Sequence, residues 1–485
     1  MRPPATGRYT HSMSNPDRPN DAAQRFRHPW RALLAGALVG LIALGVSACS
    51  VLSDGRSPDR SRSTPPTMSE AERLYQRYRL AAIEGEPIMR VRIERAAETA
   101  IIAGPARINV TPGSHQTSPR AVLATPVRVA IDDSAWILTD SAGQAHRIQR
   151  ATRGSSPGDP GERLMVEPSA PGALLTVSGS PLPGMISLHG RWDSAPNRFD
   201  VVEHVPIELY LPGVISKELY LHWKPETFRA QAIAARSYAL HERQRRMALG
   251  HHFDIESTTN AQVYIGATEH DVSHAAVEDT RGKVLTWRGS ILRAYYSSTV
   301  GGRAASARET WPVTAGQEFN LAAPIQASPR DDSDSISPFF RWEVTRPTDD
   351  LLARIRAYGE NRQNIFRRLD SIRTIQPIAF NEFERPTRYR IIDDAGKFWE
   401  IIAEEFRLAC NFPVDGRPGV TNQNRIPSSD FTVTIKDGAA TFNGRGFGHG
   451  VGMSQFGAEA MARRGERAEA ILMHFYPGAR IERAY

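Results

Sequence analysis

A carboxyl group that donates a proton near neutral pH must sit where its charged form is disfavoured. Glu218 has two features that supply such a setting. Ile207, Leu211, Val214 and Ile215 recur at helical spacing, so the segment ending at Glu218 reads as a short helix with one buried face. The negative end of that helix's dipole opposes a carboxylate at its last residue. Leu219, Tyr220 and Trp223 follow at once and add apolar surroundings, which raise a carboxyl pKa. An acid of this kind suits glycosidic cleavage, in which a proton passes to a leaving oxygen. The Tyr220 and Trp223 rings suit the faces of sugars, and they suit core packing equally well. Glu226, Asp254 and Glu256 are close enough in sequence to supply a second carboxylate, but the spacing alone does not place them.

Two further elements must position this acid. The first is a helix that opens with Pro225 and Glu226 in its first turn and has Gly250 past its basic end. Its centre, residues 230–236, is small and apolar except for Gln231 and Arg236. Polar groups among alanines are either buried and partnered or part of a site wall. The second element is a run near the C-terminus, with glycine at 444, 446, 448, 450 and 452 and with Arg445, Phe447, His449 and Val451 between. Glycine at alternate positions frees one face of an extended chain for close approach by a ligand or by another backbone, and that face is expected to meet the Glu218 site. The spacing is not G-x-G-x-x-G and no Lys-Ser/Thr follows, so a phosphate cradle is disfavoured.

Residues 226–240 (ETFRAQAIAARSYAL) resemble the signature of the stage II sporulation protein D family (SpoIID/LytB). Residues 443–457 (NGRGFGHGVGMSQFG) resemble the same family's glycine-rich element, with Phe456 in place of a tryptophan. A third stretch, residues 294–302, also fits, with Ser297 where histidine is common and Val300 where serine is. The resemblance covers about residues 185–485 and is weakest over 303–430. It implies lytic cleavage of peptidoglycan glycan strands. Relatives with a metal site use Cys and His in the loop after the alanine-rich helix; this chain has His251 and His252 there but no Cys, so no metal or other cofactor is expected. Glu218 is then the catalytic acid, and the candidate substrate contacts are Trp223, Gln231, Arg236, Arg445, Gly448, His449, Gly450 and Gln455. Part of the family is described as amidase enhancers, so a cell-wall amidase is the alternative partner and non-catalytic glycan binding the alternative role. A structural lipoprotein that anchors to peptidoglycan is a third reading.

The fold class expected is α+β, with a β-rich N-terminal module packed against a mixed α/β region. Short β-type runs separated by Gly, Pro, Asp and Ser extend from residue 89 to about 202. The organisation expected is a lipoprotein signal peptide over 1–48, a flexible tether over 49–68, the β-rich module over 69–184 and the SpoIID/LytB-like domain over 185–485. Within that domain the core signature spans 195–302 and the glycine-rich signature 443–478. The leader carries Arg25, Arg27 and Arg31 before an apolar run of signal-peptide length, and it ends Val46-Ser47-Ala48-Cys49. This resembles a bacterial lipobox, so Cys49 is the expected lipidation site and the chain an exported, membrane-anchored lipoprotein facing the periplasm or cell wall. Cys410 is the other of two cysteines, which leaves no intramolecular disulfide once Cys49 is acylated. The formal net charge is +7, and residues 1–63, with nine Arg, no Lys and four Asp, hold most of it. The remainder is nearly neutral, and no nucleic-acid partner is expected. Residues 331–334 (DDSD) read as a solvated acidic loop.

Overall fold

Met89 and Val91 are buried while their neighbours are not, the two-residue period of a strand with one face on a core. That strand, Ile88–Ala97, pairs antiparallel with Phe199–Pro206, which pairs in turn with Met185–Gly190. These belong to a seven-stranded sheet completed by Ile255–Glu256, Arg163–Pro168, Arg107–Pro112 and Ala121–Ala124. A six-stranded sheet holds Ser180–Leu182, Leu175–Val177, Thr99–Ala103, Val127–Ile131, Ala135–Thr139 and Ala145–Gln149. Trp136 of the smaller sheet meets Phe199 of the larger edge to face, with ring centroids 5.5 Å apart.

The structure is a computed structural model that describes residues 85–113, 121–150, 163–170, 172–191, 197–258 and 262–485. All lie within one unit, Arg60–Tyr485. The signal segment, Cys49 and the 49–68 tether fall outside the described residues. The β-rich region does not stop at residue 184, because the strands at 185–190 and 199–206 are central members of the same seven-stranded sheet. Local β texture cannot mark a boundary there, since the pairing that joins these strands to Ile88–Ala97 spans more than a hundred residues.

Phe199–Pro206 runs straight into the helix Ile207–Glu218, with Pro206 at its N-cap. The strand and the helix share one core with the long helix Pro225–Ala248, whose residues 230–235 are buried without exception. Its small side chains let the strand Lys283–Trp287 approach closely. Ser237 Oγ donates to Ile233 O at 2.6 Å and accepts from Leu285 N at 2.8 Å. A second hydrophobic core lies within residues 344–442, where Tyr389 and Phe431 stack at 4.7 Å between two three-stranded sheets and the helices Thr348–Asn361 and Ala403–Cys410. The mixture of helix and sheet is α+β.

Candidate active site at Glu218

Glu218 is the last residue of its helix. Leu219 turns to extended backbone, and its N–H closes on Ile215 O at 3.2 Å. A tight turn brings Trp223 N to Tyr220 O at 3.0 Å, and Pro225 then starts the long helix. The carboxylate thus sits in the corner between two helices. Burial pushes the Glu218 carboxyl above its ordinary value, while donation from Gln455 Nε2 to Oε2 at 3.0 Å pulls it back. Gln455 Nε2 also reaches Gln231 Oε1 at 3.5 Å, so Glu218, Gln231 and Gln455 form one cluster. The Gln231 amide Nε2 is buried and has no partner among the described residues, which leaves a donor available beside the acid. The Tyr296 phenol is raised by burial and raised further by the nearby Glu218 charge. Its hydroxyl accepts from Gln262 Nε2 at 3.0 Å, and Gln262 Oε1 accepts from Tyr210 at 3.0 Å. A hydroxyl that accepts in this way keeps its own proton for a second partner.

Gln455 arrives at the acid through helix-end chemistry. Ser454 caps the helix Gln455–Arg463 by accepting from Gly457 N at 3.2 Å. One turn on, the buried Glu459 accepts from Lys224 N at 2.9 Å and Thr227 Oγ1 at 2.8 Å, capping the N-terminus of the long helix. In return, Glu226 Oε2 accepts from Ala468 N at 2.8 Å at the start of the helix Ala468–Phe475. These two crossed caps tie the C-terminal helices to the long helix, and with it to the corner that holds Glu218.

The glycine run is not extended. Gly446, Gly448, Gly450 and Gly452 all have positive φ, between +72° and +96°. A β-carbon on Gly452 would stand 2.0 Å from Tyr295 O, and one on Gly448 3.1 Å from Ser297 Cβ. One on Gly450 would meet the buried Arg385 guanidinium at 2.7 Å. The space these glycines open is therefore filled by protein. Gly448 and Gly450 are packing positions, and the residue this run carries to the acid is Gln455. Met453 and Ser454 pair in parallel with Tyr296 and Ser297, which fixes the register.

Other expected contacts lie elsewhere. Arg236 is fully buried and donates to Glu208 Oε2 at 2.7 Å, Val277 O at 3.2 Å and Lys283 O at 3.1 Å, so it is a structural partner and not a glycan contact. Trp223 is only 5% exposed and packs on Phe456 at 4.9 Å, supporting Tyr220, which is 56% exposed. Tyr220 is thus the ring offered to solvent beside the acid. His449 Nδ1 accepts from Val451 N at 3.0 Å, and its ring packs against Trp311 at 5.1 Å. Burial pulls the His449 imidazole down to about 4, so it is neutral at pH 7. Arg445 lies in a different cleft. The sequence-adjacent carboxylates are taken up elsewhere. Glu226 caps a helix, Asp254 bonds the Arg90 guanidinium and backbone, and Glu256 pairs with Arg92.

The acidic loop at 331–334 is not simply solvated. Asp334 is 1% exposed and its Oδ2 accepts from Val300 N at 2.7 Å, Gly301 N at 2.9 Å and Ser454 Oγ at 3.1 Å. It clasps the turn after Ser297 to the helix cap before Gln455. Its partners are 33 to 120 residues away, which no local pattern reveals.

Comparison with known proteins places this geometry. Residues 195–287 match the family model described as stage II sporulation protein. The chain is 27% identical over 289 residues to the amidase enhancer of Bacillus subtilis (strain 168), covering 56% of this chain and 40% of that protein. It is similarly 27% identical over 302 residues to stage II sporulation protein D of Bacillus amyloliquefaciens, covering 58% and 76%. The Bacillus subtilis (strain 168) protein of the same description is 26% identical over 297 residues, covering 58% of this chain and 76% of its own length. Glu218, the long helix and the strand Lys283–Trp287 all lie inside the matched segment, so the domain of this chain that is similar to the stage II sporulation protein D family is the one that carries the candidate site.

Proposed function

We propose that the protein is a peptidoglycan lytic transglycosylase with Glu218 as its single acid and base. The observation that carries this reading is a carboxyl raised by burial at a helix C-terminus and bonded by the neutral Gln455 amide, with no carboxylate hydrogen-bonded to it among the described residues. Hydrolases that invert or retain use two carboxyls roughly 5 to 10 Å apart. A lone carboxyl suits a reaction in which the sugar supplies its own nucleophile. Glu218 gives its proton to the oxygen of the bond leaving C1 of N-acetylmuramic acid, which frees the 4-hydroxyl of N-acetylglucosamine. The resulting carboxylate then takes the proton of the C6 hydroxyl as that oxygen bonds to C1. A 1,6-anhydro ring closes, no water is consumed, and Glu218 ends protonated. Gln231 Nε2 and the Tyr296 hydroxyl are the donors best placed to hold the sugar, and Tyr220 offers it an exposed ring.

A second reading, that the chain binds glycan and stimulates a cell-wall amidase without cutting, is favoured by the name of the amidase enhancer among its relatives. Glu218→Gln separates the two. It keeps size and hydrogen bonding but removes the transferable proton, and general acid–base action is worth roughly 10² to 10⁴ in rate. Turnover of purified glycan strands should fall at least that far while the protein stays folded. A variant that cuts as the parent does rules out the acid. If neither protein cuts and both stimulate an amidase equally, the enhancer reading holds.

Export belongs to the same proposal. The leader and the Val-Ser-Ala-Cys sequence support a mature chain held on a membrane through an acylated Cys49. Intact-mass measurement of membrane-extracted protein should show residues 1–48 absent and Cys49 diacylated or triacylated; an unmodified Cys49 contradicts it.

A further inference from the structure

A cleft of about 420 Å³ opens away from the Glu218 cluster, lined by Arg303, Arg341, Trp342, Phe380, Asp430 and Arg445 among others. It shares no residue with that cluster. Tyr296, beside the acid, and Arg303, in the cleft wall, are seven residues apart, a span of at most about 25 Å.

Its charges do not balance. Arg303 is taken up by Asp430, which accepts from its Nε at 3.0 Å and from its Nη2 at 2.5 Å. Arg341 donates only to the neutral carbonyls of Gly301 and Phe340, at 3.2 and 2.7 Å, and lies 4.1 Å over the Phe340 ring. The Arg445 backbone O accepts from Ser428 Oγ at 2.6 Å, while its guanidinium makes no hydrogen bond or salt bridge with any described residue. Burial lowers its guanidinium from the ordinary value, Arg303 and Arg341 lower it further, and Asp430 opposes them in part. Three arginines and one carboxylate, Asp430, line the recess, and that excess of positive charge favours an anion there; a planar guanidinium suits a carboxylate with two parallel bonds.

The cleft also has flat apolar walls. Trp342 pairs with Gly444 across the sheet, and a β-carbon on Gly444 would stand 2.2 Å from the indole. Glycine therefore seats the ring against the strand, and Trp342 Nε1 locks it by donating to Gly446 O at 2.9 Å. Phe380 is 54% exposed. A fixed aromatic face next to a free guanidinium is what a ring bearing an acidic group requires.

We infer that this cleft binds an acidic saccharide, with its carboxylate on Arg445 and Arg341 and its ring against Trp342 and Phe380. N-acetylmuramic acid, through its lactyl ether carboxylate, is the sugar of this class that the proposed substrate carries. A uronic acid has the same chemistry from another source. Binding in the cleft does not depend on cleavage at Glu218.

Calorimetric titration of the full-length protein with N-acetylmuramic acid, glucuronic acid, N-acetylglucosamine and inorganic phosphate tests this. None of these carries the scissile bond, so the result is separate from turnover and from the fate of the transglycosylase reading. At least one sugar acid should bind ten-fold or more tighter than N-acetylglucosamine, and less tightly as salt is raised. Which acid binds identifies the source. Arg445→Ala, whose side chain holds nothing else in place, should weaken that acid at least ten-fold, with part restored by Arg445→Lys. Phe380→Ala should weaken the sugar acid and leave phosphate unchanged. Equal affinity for phosphate and sugar acid reduces the cleft to a plain anion site and overturns the saccharide. An undiminished affinity in folded Arg445→Ala overturns the site itself.

Discussion

Glu218 shows how far a single residue can be read from sequence. Helical spacing before it and aromatic residues after it pointed to a carboxyl at a helix end in apolar surroundings, because both signals are local. Arg236 shows where such reading stops. A polar residue among alanines is equally consistent with a site wall and with a buried ion pair, and its partner Glu208 lies 28 residues away on a different helix. The pairing is decided by packing, which local spacing does not contain. Trp223 and Tyr220 divide in the same way, since the sequence offers both rings to a sugar and only the turn between the helices decides which is exposed. At this scale Gln455 gives a sharp test. Its amide donates to Glu218 Oε2 and so stabilises the charged form against the burial that opposes it. Removing the donor in Gln455→Leu raises the pKa further, and the acid stays protonated to higher pH. The alkaline limb of kcat/KM should therefore move to higher pH in this variant. Movement to lower pH would mean that the amide is not the group tuning the acid.

At the scale of elements, the site depends on helix ends more than on helix faces. The position of the long helix was legible from Pro225, and the two C-terminal helices follow the glycine run. Their mutual docking was not legible, because it runs through Glu459 and Glu226, which in sequence look like ordinary surface carboxylates. The alternating glycines were visible too, but their physical role differs from an open face. Four positive φ values wind the chain so closely against Tyr295, Ser297 and Arg385 that no β-carbon fits at 450 or 452. Glu459→Ala tests the crossed caps. It leaves Lys224 N and Thr227 Oγ1 without their acceptor at a buried helix start, a loss of about 2 to 3 kcal/mol from the cap and the unsatisfied groups together. Because residues 455 and 459 share one helix face, Gln455 should also shift and turnover should fall. Denaturant unfolding and glycan turnover measured on the same preparation check both effects, and Glu459→Gln should recover part of each. Unchanged stability would show that the caps do not hold the helices.

At the scale of the whole molecule, two hydrophobic cores carry two candidate sites of different character. The first core joins the paired sheets to the helices that hold Glu218. The second, within 344–442, forms part of the wall of the arginine-lined cleft. Strand and helix texture were readable along most of the chain. The continuity of the large sheet across residue 185 and the separate core of 344–442 were not, since both arise from pairings between distant segments. The account of the whole protein rests on one carboxyl turning a glycosidic bond into an anhydro ring. The direct measurement is mass analysis of the products released from purified glycan strands by the wild-type protein, with Glu218→Gln as the control. The account predicts products that end in 1,6-anhydro-N-acetylmuramic acid, one water lighter than hydrolytic fragments, and none from the variant. Products with a free reducing end would contradict it, because they require a water nucleophile that the single-carboxyl mechanism excludes.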